Sequence, residues 1–137
     1  MPLLHHPKVG DILICDFPGC LREPEMIKKR PAIVVMREHA GRARLCTVVP
    51  LSTTTPAAAR PYHVKISEEA LPRSLRSRHH WAKCDMLYTF CIDRLDRVRC
   101  GRDGQSGRRI YETGRVTGEE LARIQAAILY TFSIAFR

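Results

Sequence analysis

Basic and hydroxyl side chains stand at the ends of apolar segments in this sequence, and their types suit chemistry on a phosphate. Lys28, Lys29 and Arg30 precede one β-rich run. Ser52 and Thr53 follow another. Guanidinium and ammonium groups bind phosphate through charge-assisted hydrogen bonds, and hydroxyl groups add neutral ones. This inventory suits RNA cleavage, because RNA carries its own nucleophile, the 2′-hydroxyl. The protein then has to align that group, stabilise charge and help to move protons.

Positive charge is concentrated in one region of the chain. The 137 residues hold 23 Lys and Arg against 14 Asp and Glu, which gives a net charge of +9 and a pI of 9.7. Residues 73–109 alone hold nine Arg and one Lys against four Asp, a local balance of +6. Each phosphate that such a surface neutralises releases counterions, so polyanions are its natural partners. The charge favours nucleic acid over two alternatives, a solvated basic face and an acidic protein partner.

Motifs of several other enzyme classes are missing from the sequence. It has no P-loop, dinucleotide fingerprint, H-E-x-x-H motif or nucleophile elbow, and no carboxylate cluster of the kind that binds two catalytic metals. The six cysteines include no C-x-x-C pair, so His79, His80 and Cys84 are a weak metal candidate. We expect neither metal nor cofactor, and we interpret Cys15, Cys46 and Cys84 as buried reduced thiols.

The apolar pattern predicts several short strands. They cover residues 12–17, 31–36, 45–49, 62–66, 81–84 and 86–92. A Pro- and Gly-containing loop is predicted over residues 18–29, and a Gly-rich charged loop over residues 100–109. We therefore expect a mainly β (α+β) fold, with a small, strongly bent antiparallel sheet or open barrel, in one domain over residues 1–137.

Only the end of the chain has a strong helical pattern. Thr117 and Glu120 have the spacing of a capping box. The apolar residues that follow recur at helical spacing and predict one stripe that packs on the sheet: Leu121, Ile124, Ile128, Leu129 and Phe132. A C-terminal helix is therefore expected to complete the core.

Targeting signals are missing from the sequence. The first residues, Met1–Lys8, lack an apolar stretch behind a basic cluster, and no run of about 18 apolar residues is present. We expect a cytoplasmic protein with no membrane partner.

Short motifs occur in a definite order from about Val9 to Leu129. They are Gly10-Asp11-Ile12, Arg30–Val35, Val49–Thr53, Leu71-Pro72, Lys83–Asp85, Asp93–Leu95 and Gly114–Val116. No single motif is very specific, but their order and the strand pattern together are. In both, the chain resembles the PemK/MazF toxins of type II toxin–antitoxin modules.

That resemblance implies a fold, a reaction and partners. The fold is a bent barrel of Src-homology-3-like shape with a C-terminal helix, usually a homodimer that binds RNA along a groove at the dimer interface. The reaction is metal-independent cleavage of single-stranded RNA, leaving a 2′,3′-cyclic phosphate and a 5′-hydroxyl. A cognate antitoxin is the implied protein partner, and charge predicts that it lays a disordered acidic segment across the basic groove.

The same resemblance implies the roles of individual residues. Arg30 is the main catalytic group, which stabilises phosphate charge and takes part in proton transfer. The first role suits a permanent cation, whereas a pKa above about 12 makes arginine a reluctant base. Ser52 matches the hydroxyl residue that hydrogen-bonds the developing oxyanion. In structural terms, Arg30 is alternatively a surface charge and Ser52 an ordinary turn residue.

Further residues are candidates for RNA binding. They are Lys28, Lys29, Thr53, Lys83, Asp85 and Trp81, with His63, His79 and His80 as additional groove candidates. Each has a structural alternative: Lys83 is a solvated charge, Asp85 a partner of Arg30 or Lys83, and Trp81 a core residue instead of a stacking platform for bases.

Three departures from the family pattern keep other functions open. The loop before Arg30 lacks a Gly-x-Glu-Gln element, Met86 stands where Gln is common, and residues 97–109 are longer and more basic than usual. One alternative is an RNA-binding module on the same fold that does not cleave. The other is a CcdB-like toxin acting on a protein target, DNA gyrase. The CcdB type depends on a C-terminal tryptophan. The last residues here, Ile134-Ala135-Phe136-Arg137, include no tryptophan, which weakens this alternative.

Overall fold

Ten strands and one helix form the part of the chain that the structure describes. A computed structural model describes residues 3–19, 21–25 and 28–133. The elements are β1 (Asp11–Asp16), β2 (Lys29–Val34), β3 (Leu45–Ser52), β4 (His63–Ile66), β5 (His80–Lys83), β6 (Tyr88–Cys91), β7 (Leu95–Asp96), β8 (Val98–Arg102), β9 (Arg109–Glu112), β10 (Gly114–Arg115) and α1 (Gly118–Thr131). Short 3-10 turns lie at Glu68–Ala70, Arg73–Leu75 and Ile92–Arg94.

Eight of these strands form one curled antiparallel sheet. Its order is β10-β1-β2-β3-β5-β4, with β6 paired to β3 and β7 paired to β1. The first half of β3 pairs with β6 and its last two residues pair with β5, so the sheet changes partner along one strand and bends there. The predicted mainly β fold, a bent antiparallel sheet with a C-terminal helix, is confirmed.

One face of the sheet carries the larger core. Strand alternation places Ile12, Ile33, Val49 and Leu51 on this face, and all four are fully buried. Helix α1 closes the core with Ile124. Burying each such side chain contributes about 1.5–3 kcal/mol, so the helix and the sheet stabilise one another.

The predicted apolar stripe of the helix is only partly correct. Leu121, Ile124 and Ile128 pack on the core as expected. Leu129 is only partly buried, and Phe132 is 58% exposed. The expectation for Phe132 was wrong because α1 ends at Thr131, and Phe132 caps the helix in a non-helical conformation.

The opposite face carries a second, smaller core near β1 and β6. Phe17 packs edge-on against Tyr88 and Phe90, with ring centroids 5.2 and 5.7 Å away. Cys15 and Cys46 are fully buried beside these rings. Cys84 is fully buried in the larger core, and burial raises the pKa of all three thiols to about 12. These cysteines are unpaired and buried, as predicted.

The loop predicted at residues 100–109 is only partly correct: residues 103–108 form a turn, but residues 100–102 and 109 belong to strands. Strands β8 and β9 form an antiparallel hairpin there, separate from the main sheet. Asp103 shapes the turn, because its carboxylate accepts the backbone N–H groups of Ser106 and Gln105, which lower its pKa. Glycine and arginine make up six of the ten residues at 100–109, and Val98 is the one fully buried residue of the two strands, so no apolar pattern marks them.

Glu120 ties the helix to the sheet. Its carboxylate accepts the backbone N–H of Ser67 at 2.8 Å and that of Thr117 at 3.0 Å, and the Thr117 hydroxyl accepts the Glu120 N–H at 3.1 Å. This confirms the predicted capping box. Burial alone raises the pKa of Glu120, which is 2% exposed, but the hydrogen bonds from Ser67 and Thr117 together lower it below its ordinary value.

No helix among the described residues is long and apolar enough to cross a membrane.

Replacing Glu120 by glutamine is expected to lower the free energy of unfolding by about 1–3 kcal/mol at neutral pH, because charge-assisted hydrogen bonds to a buried group are lost. A pKa lowered by folding means that this stabilisation is present above the ordinary pKa of glutamate and disappears as the pH falls through the folded-state value. Urea unfolding should therefore show that the difference in unfolding free energy between the parent and E120Q becomes smaller below about pH 4.3.

The matched control is Glu119→Gln, on the same helical turn but exposed. We expect it to change the unfolding free energy by less than about 0.5 kcal/mol. An equal loss in both variants would show that the helix dipole, and not the contact with Ser67, carries the effect.

Candidate functional site

Arg30, Ser52 and Trp81 lie on one face of the sheet where three strands end. Arg30 is exposed and lies within β2, which begins at Lys29, two residues earlier than predicted. Ser52 is the last residue of β3 and pairs directly with Trp81 of β5. Ala32 pairs with Pro50 in the β2–β3 ladder, and the same register continued by two residues aligns Arg30 with Ser52. Since directly opposed residues share a face, these three side chains define what we call the Arg30 face.

The Ser52 hydroxyl is held in place by the chain that follows it. Its oxygen accepts the backbone N–H of Thr54 at 3.1 Å. This is the turn role expected for such a residue, and it leaves the hydroxyl proton available for another acceptor. Thr53, which precedes the bonded amide, is exposed. A hydroxyl fixed in this way can donate to an anion that lies on the Arg30 face.

Lys83 and Asp85 line one cleft beside this row of residues. Lys83 lies two residues along β5 from Trp81 and so on the same face. The cleft has a volume of about 420 Å³ and is lined by Pro24, Glu25, Tyr62, His63, Lys83, Asp85, Met86 and Tyr88. The loop between β1 and β2 forms one wall with Pro24 and Glu25. The structure thus brings the predicted basic residue and aspartate together.

Lys65 is a residue of this face that the sequence analysis missed. It pairs with Trp81 across β4 and β5, and its ammonium nitrogen lies 5.8 Å from the centroid of the Trp81 ring. His79 contacts the same indole edge-on at 6.1 Å between centroids. Alternation in the strand predicted at residues 62–66 was the signal available, since it places Lys65 on the face of His63.

The three candidate histidines have different environments. His80 is 4% exposed, and its Nδ1 hydrogen-bonds the Arg78 carbonyl at 3.0 Å. Burial lowers the pKa of His80, so it is a neutral core residue. His79 is exposed. His63 lines the cleft of Lys83, and its buried Nδ1 lacks a hydrogen-bond partner among the described residues.

Lys29 lies apart from Arg30, and Lys28 closes the loop before them. Lys28 has a left-handed backbone, with φ of +67°, and its carbonyl accepts the Phe17 N–H at 3.0 Å to close the β1–β2 loop. Lys29 pairs with Asp16 and, by strand alternation, points to the sheet face opposite Arg30. Lys29 therefore lines a different cleft.

Metal-ligating side chains do not cluster in the described part of the chain: no group of three His, Cys, Asp or Glu there could hold an ion.

Comparison with known proteins identifies the family. Residues 8–132 match the family described as "PemK-like, MazF-like toxin of type II toxin-antitoxin system". The chain belongs to this toxin family. No curated protein sequence matches it.

Solved structures share the fold at low sequence identity. A Mycobacterium tuberculosis toxin, MazF-mt6, has a TM-score of 0.60 and 20% identity, covering 91% of this chain and 98% of that one. An endoribonuclease in complex with its cognate antitoxin, from a mycobacterial species, has a TM-score of 0.64 at 17% identity, covering 96% and 99%. MazF from Deinococcus radiodurans has a TM-score of 0.62 at 17% identity, covering 95% and 99%.

We expect His80 to remain neutral at a pH where an exposed histidine is protonated. Because its pKa is lowered by folding, the unfolded chain binds the proton more readily, and stability falls as the pH drops through about 6.5. Long-range ¹H–¹⁵N spectra recorded between about pH 8 and pH 5 measure this titration directly. A midpoint above the ordinary value would contradict the buried, neutral state.

Proposed function

We propose that this chain is the toxin of a toxin–antitoxin module and cleaves single-stranded RNA without a metal. The observation that carries the proposal is the Arg30 face, where a permanent cation, an oriented hydroxyl and an indole stand at neighbouring strand ends. RNA supplies the nucleophile itself. Attack by the 2′-oxygen on the adjacent phosphorus breaks the bond to the 5′-oxygen, leaving a 2′,3′-cyclic phosphate and a 5′-hydroxyl without consuming water.

Arg30 and Ser52 stabilise the charge that develops in this step. The guanidinium of Arg30 binds the non-bridging phosphate oxygens through its fork of N–H donors, and its charge does not depend on pH. The Ser52 hydroxyl donates a further hydrogen bond to one of these oxygens. Preorganised donors of this kind are each worth about 10²–10³ in rate.

Proton transfer needs a second group, because arginine has a pKa above about 12 and is a poor base at neutral pH. The 2′-hydroxyl loses a proton and the 5′-oxygen gains one. Asp85 and His63 line the cleft beside the Arg30 face, and we assign these two proton transfers to them, with Lys83 stabilising the phosphate between them.

RNA binding extends from the reacting phosphate along the strand ends. Trp81 offers a ring for base stacking, and Lys65 beside it supplies a cation for the adjoining phosphate. Lys28, exposed before β2, and Thr53, exposed after β3, extend the binding surface beyond these strand ends. The path runs across β2, β3, β5 and β4.

The proposal includes the partners of such a toxin. Similar folds have been solved with a cognate antitoxin and as a MazE-MazF pair. We propose a homodimer acting in the cytoplasm, formed by one toxin domain over residues 1–137, and an antitoxin that covers the basic groove with an acidic segment.

The cleavage proposal is tested by incubating the purified protein with a long RNA in excess EDTA. We expect cuts with cyclic-phosphate ends, and a rate lower by about 10²–10³ in Arg30→Ala and in Ser52→Ala, since each removes a donor to the transition state. Arg37→Ala is the matched control: Arg37 is exposed beyond the opposite end of β2, and the variant should cut like the parent.

Other outcomes select the alternatives. Tight, salt-sensitive RNA binding without cuts would indicate a non-cleaving RNA-binding module. Neither cutting nor binding would point to a protein target such as DNA gyrase.

Stacking on Trp81 has a separate test in a Ser52→Ala background, where RNA survives the measurement. Trp81→Ala should weaken RNA binding by about 5–150-fold, the equivalent of 1–3 kcal/mol per stacked base, while Trp81→Phe retains most of the affinity. Fluorescence anisotropy with labelled RNA measures both. If the phenylalanine variant loses as much as the alanine variant, or if melting shows both to be unfolded, Trp81 is a packing residue.

A further inference from the structure

The β8–β9 hairpin presents a basic surface that the Arg30 face does not use. We call residues Arg97–Glu112 the hairpin arm. Its five arginines are all exposed: Arg97, Arg99, Arg102, Arg108 and Arg109. The acidic residues of the arm, Asp103 and Glu112, are occupied, one by the turn and the other by Arg73. The arm therefore carries more positive than negative charge, five arginines against two carboxylates.

Contacts at its base hold the arm in a defined orientation. Val98 is 2% exposed. Glu112 accepts the backbone N–H of Arg73 at 3.1 Å and forms an ion pair with its side chain. Cys100 lies 3.4 Å from the Ser74 hydroxyl. An arm that is attached in this way can add affinity without a large entropic cost of ordering on binding.

A cleft separates the arm from the ends of β1 and β2. Its volume is about 350 Å³, and its cations are Lys29, Arg94, Arg97 and Arg99. Tyr111 forms part of the wall, with the Arg97 guanidinium 5.2 Å from its ring centroid.

Three carboxylates also line this cleft, and two of them already have partners. Asp93 pairs with Arg44, and Asp96 accepts the backbone N–H of Arg97 at 2.7 Å. The third is Asp16, which is exposed at the end of β1. The balance of charge in the cleft remains positive.

This cleft lies beside the strand end that carries Arg30. Lys29 lines the cleft and is the chain neighbour of Arg30. Arg94 lines the cleft and donates to the Asp16 carbonyl at 3.3 Å, and its guanidinium lies 5.6 Å from the centroid of the Phe90 ring. Phe90 pairs with Cys46 in the smaller core, on the face that carries Arg30.

We propose that the hairpin arm and its cleft bind the single-stranded RNA that flanks the cleavage site. Arg99, Arg108 and Arg109 bind backbone phosphates, and Tyr111 with Arg97 forms a platform for one base. The inference rests on the proposed ribonuclease function and names a second binding region for the same substrate. An arginine–aromatic platform suits a nucleobase, whereas an acidic peptide requires only the charges.

A triple variant, Arg99→Gln with Arg108→Gln and Arg109→Gln, tests the proposal. The matched control removes three charges elsewhere: Arg37→Gln, Arg42→Gln and Arg123→Gln, all exposed. Each protein is given two RNAs that contain the same cleavage site, one of about 6 nucleotides and one of about 20, lengths that bracket typical single-strand sites. Cleavage rates, dissociation constants and their salt dependence are measured in EDTA.

We expect the arm variant to cleave the short RNA at the parental rate and to bind the long RNA about 10–100-fold more weakly. Its salt dependence should be shallower by about 2 in log–log slope, because three single-strand phosphate contacts at about 0.7 each are lost. The control should differ from the parent by much less. Tyr111→Leu should weaken binding of the long RNA alone, and Tyr111→Phe should restore it.

Failure of this inference differs from failure of the proposed function. If the parent cuts neither RNA, cleavage is refuted, and the dissociation constants still decide whether the arm binds RNA. Equal losses in the arm and control variants, or for the short and long RNAs, would overturn the proposal. So would an arm variant that binds RNA normally but loses affinity for an acidic protein or changes its oligomeric state, which light scattering measures.

Discussion

Strand β3 is hydrogen-bonded to three other strands, and this shared pairing fixes where the functional side chains lie. Its middle pairs with β2, its first half with β6 and its end with β5. Side chains along a strand point alternately to the two faces of the sheet. A slip of one residue in the pairing of β3 would therefore turn Ser52 away from Trp81 and bury it in the larger core. The buried residues Val49 and Leu51 exclude that slip. Core packing thereby sets the geometry of the exposed site.

Each face of the sheet carries a core, and both cores hold elements next to the site. The larger core, closed by α1 and fastened by Glu120, holds the end of β4 through Ser67. The smaller core, capped by Phe17 and the rings of β6, holds the β1–β2 loop where it returns to the sheet. Arg30 lies just beyond this second core. A mobile site would lose effective positioning of the phosphate, so both cores contribute to the proposed chemistry.

Sequence patterns predicted the central strands well and the charged hairpin poorly. Alternating or continuous apolar residues mark β1 to β6, because these strands owe their position to burial. Strands β8 and β9 have only Val98 fully buried, so their pairing depends on the Asp103 turn and the Glu112–Arg73 contact. Neither contact leaves a periodic signal. The prediction for Phe132 was wrong for the opposite reason. Its spacing fits the apolar stripe, but the helix ends one residue before it.

The sequence by itself determined the family, the bent antiparallel sheet, the capped helix and the identity of the basic and hydroxyl side chains, because these depend on local pattern and composition. Only the tertiary structure decided which of them share a face. Lys29 and Arg30 are adjacent in the chain yet point to opposite faces of the sheet, while Ser52 and Trp81, far apart in the chain, are directly opposed. Long-range strand register decides such proximity, and register follows from burial of the whole sheet and not from any single segment.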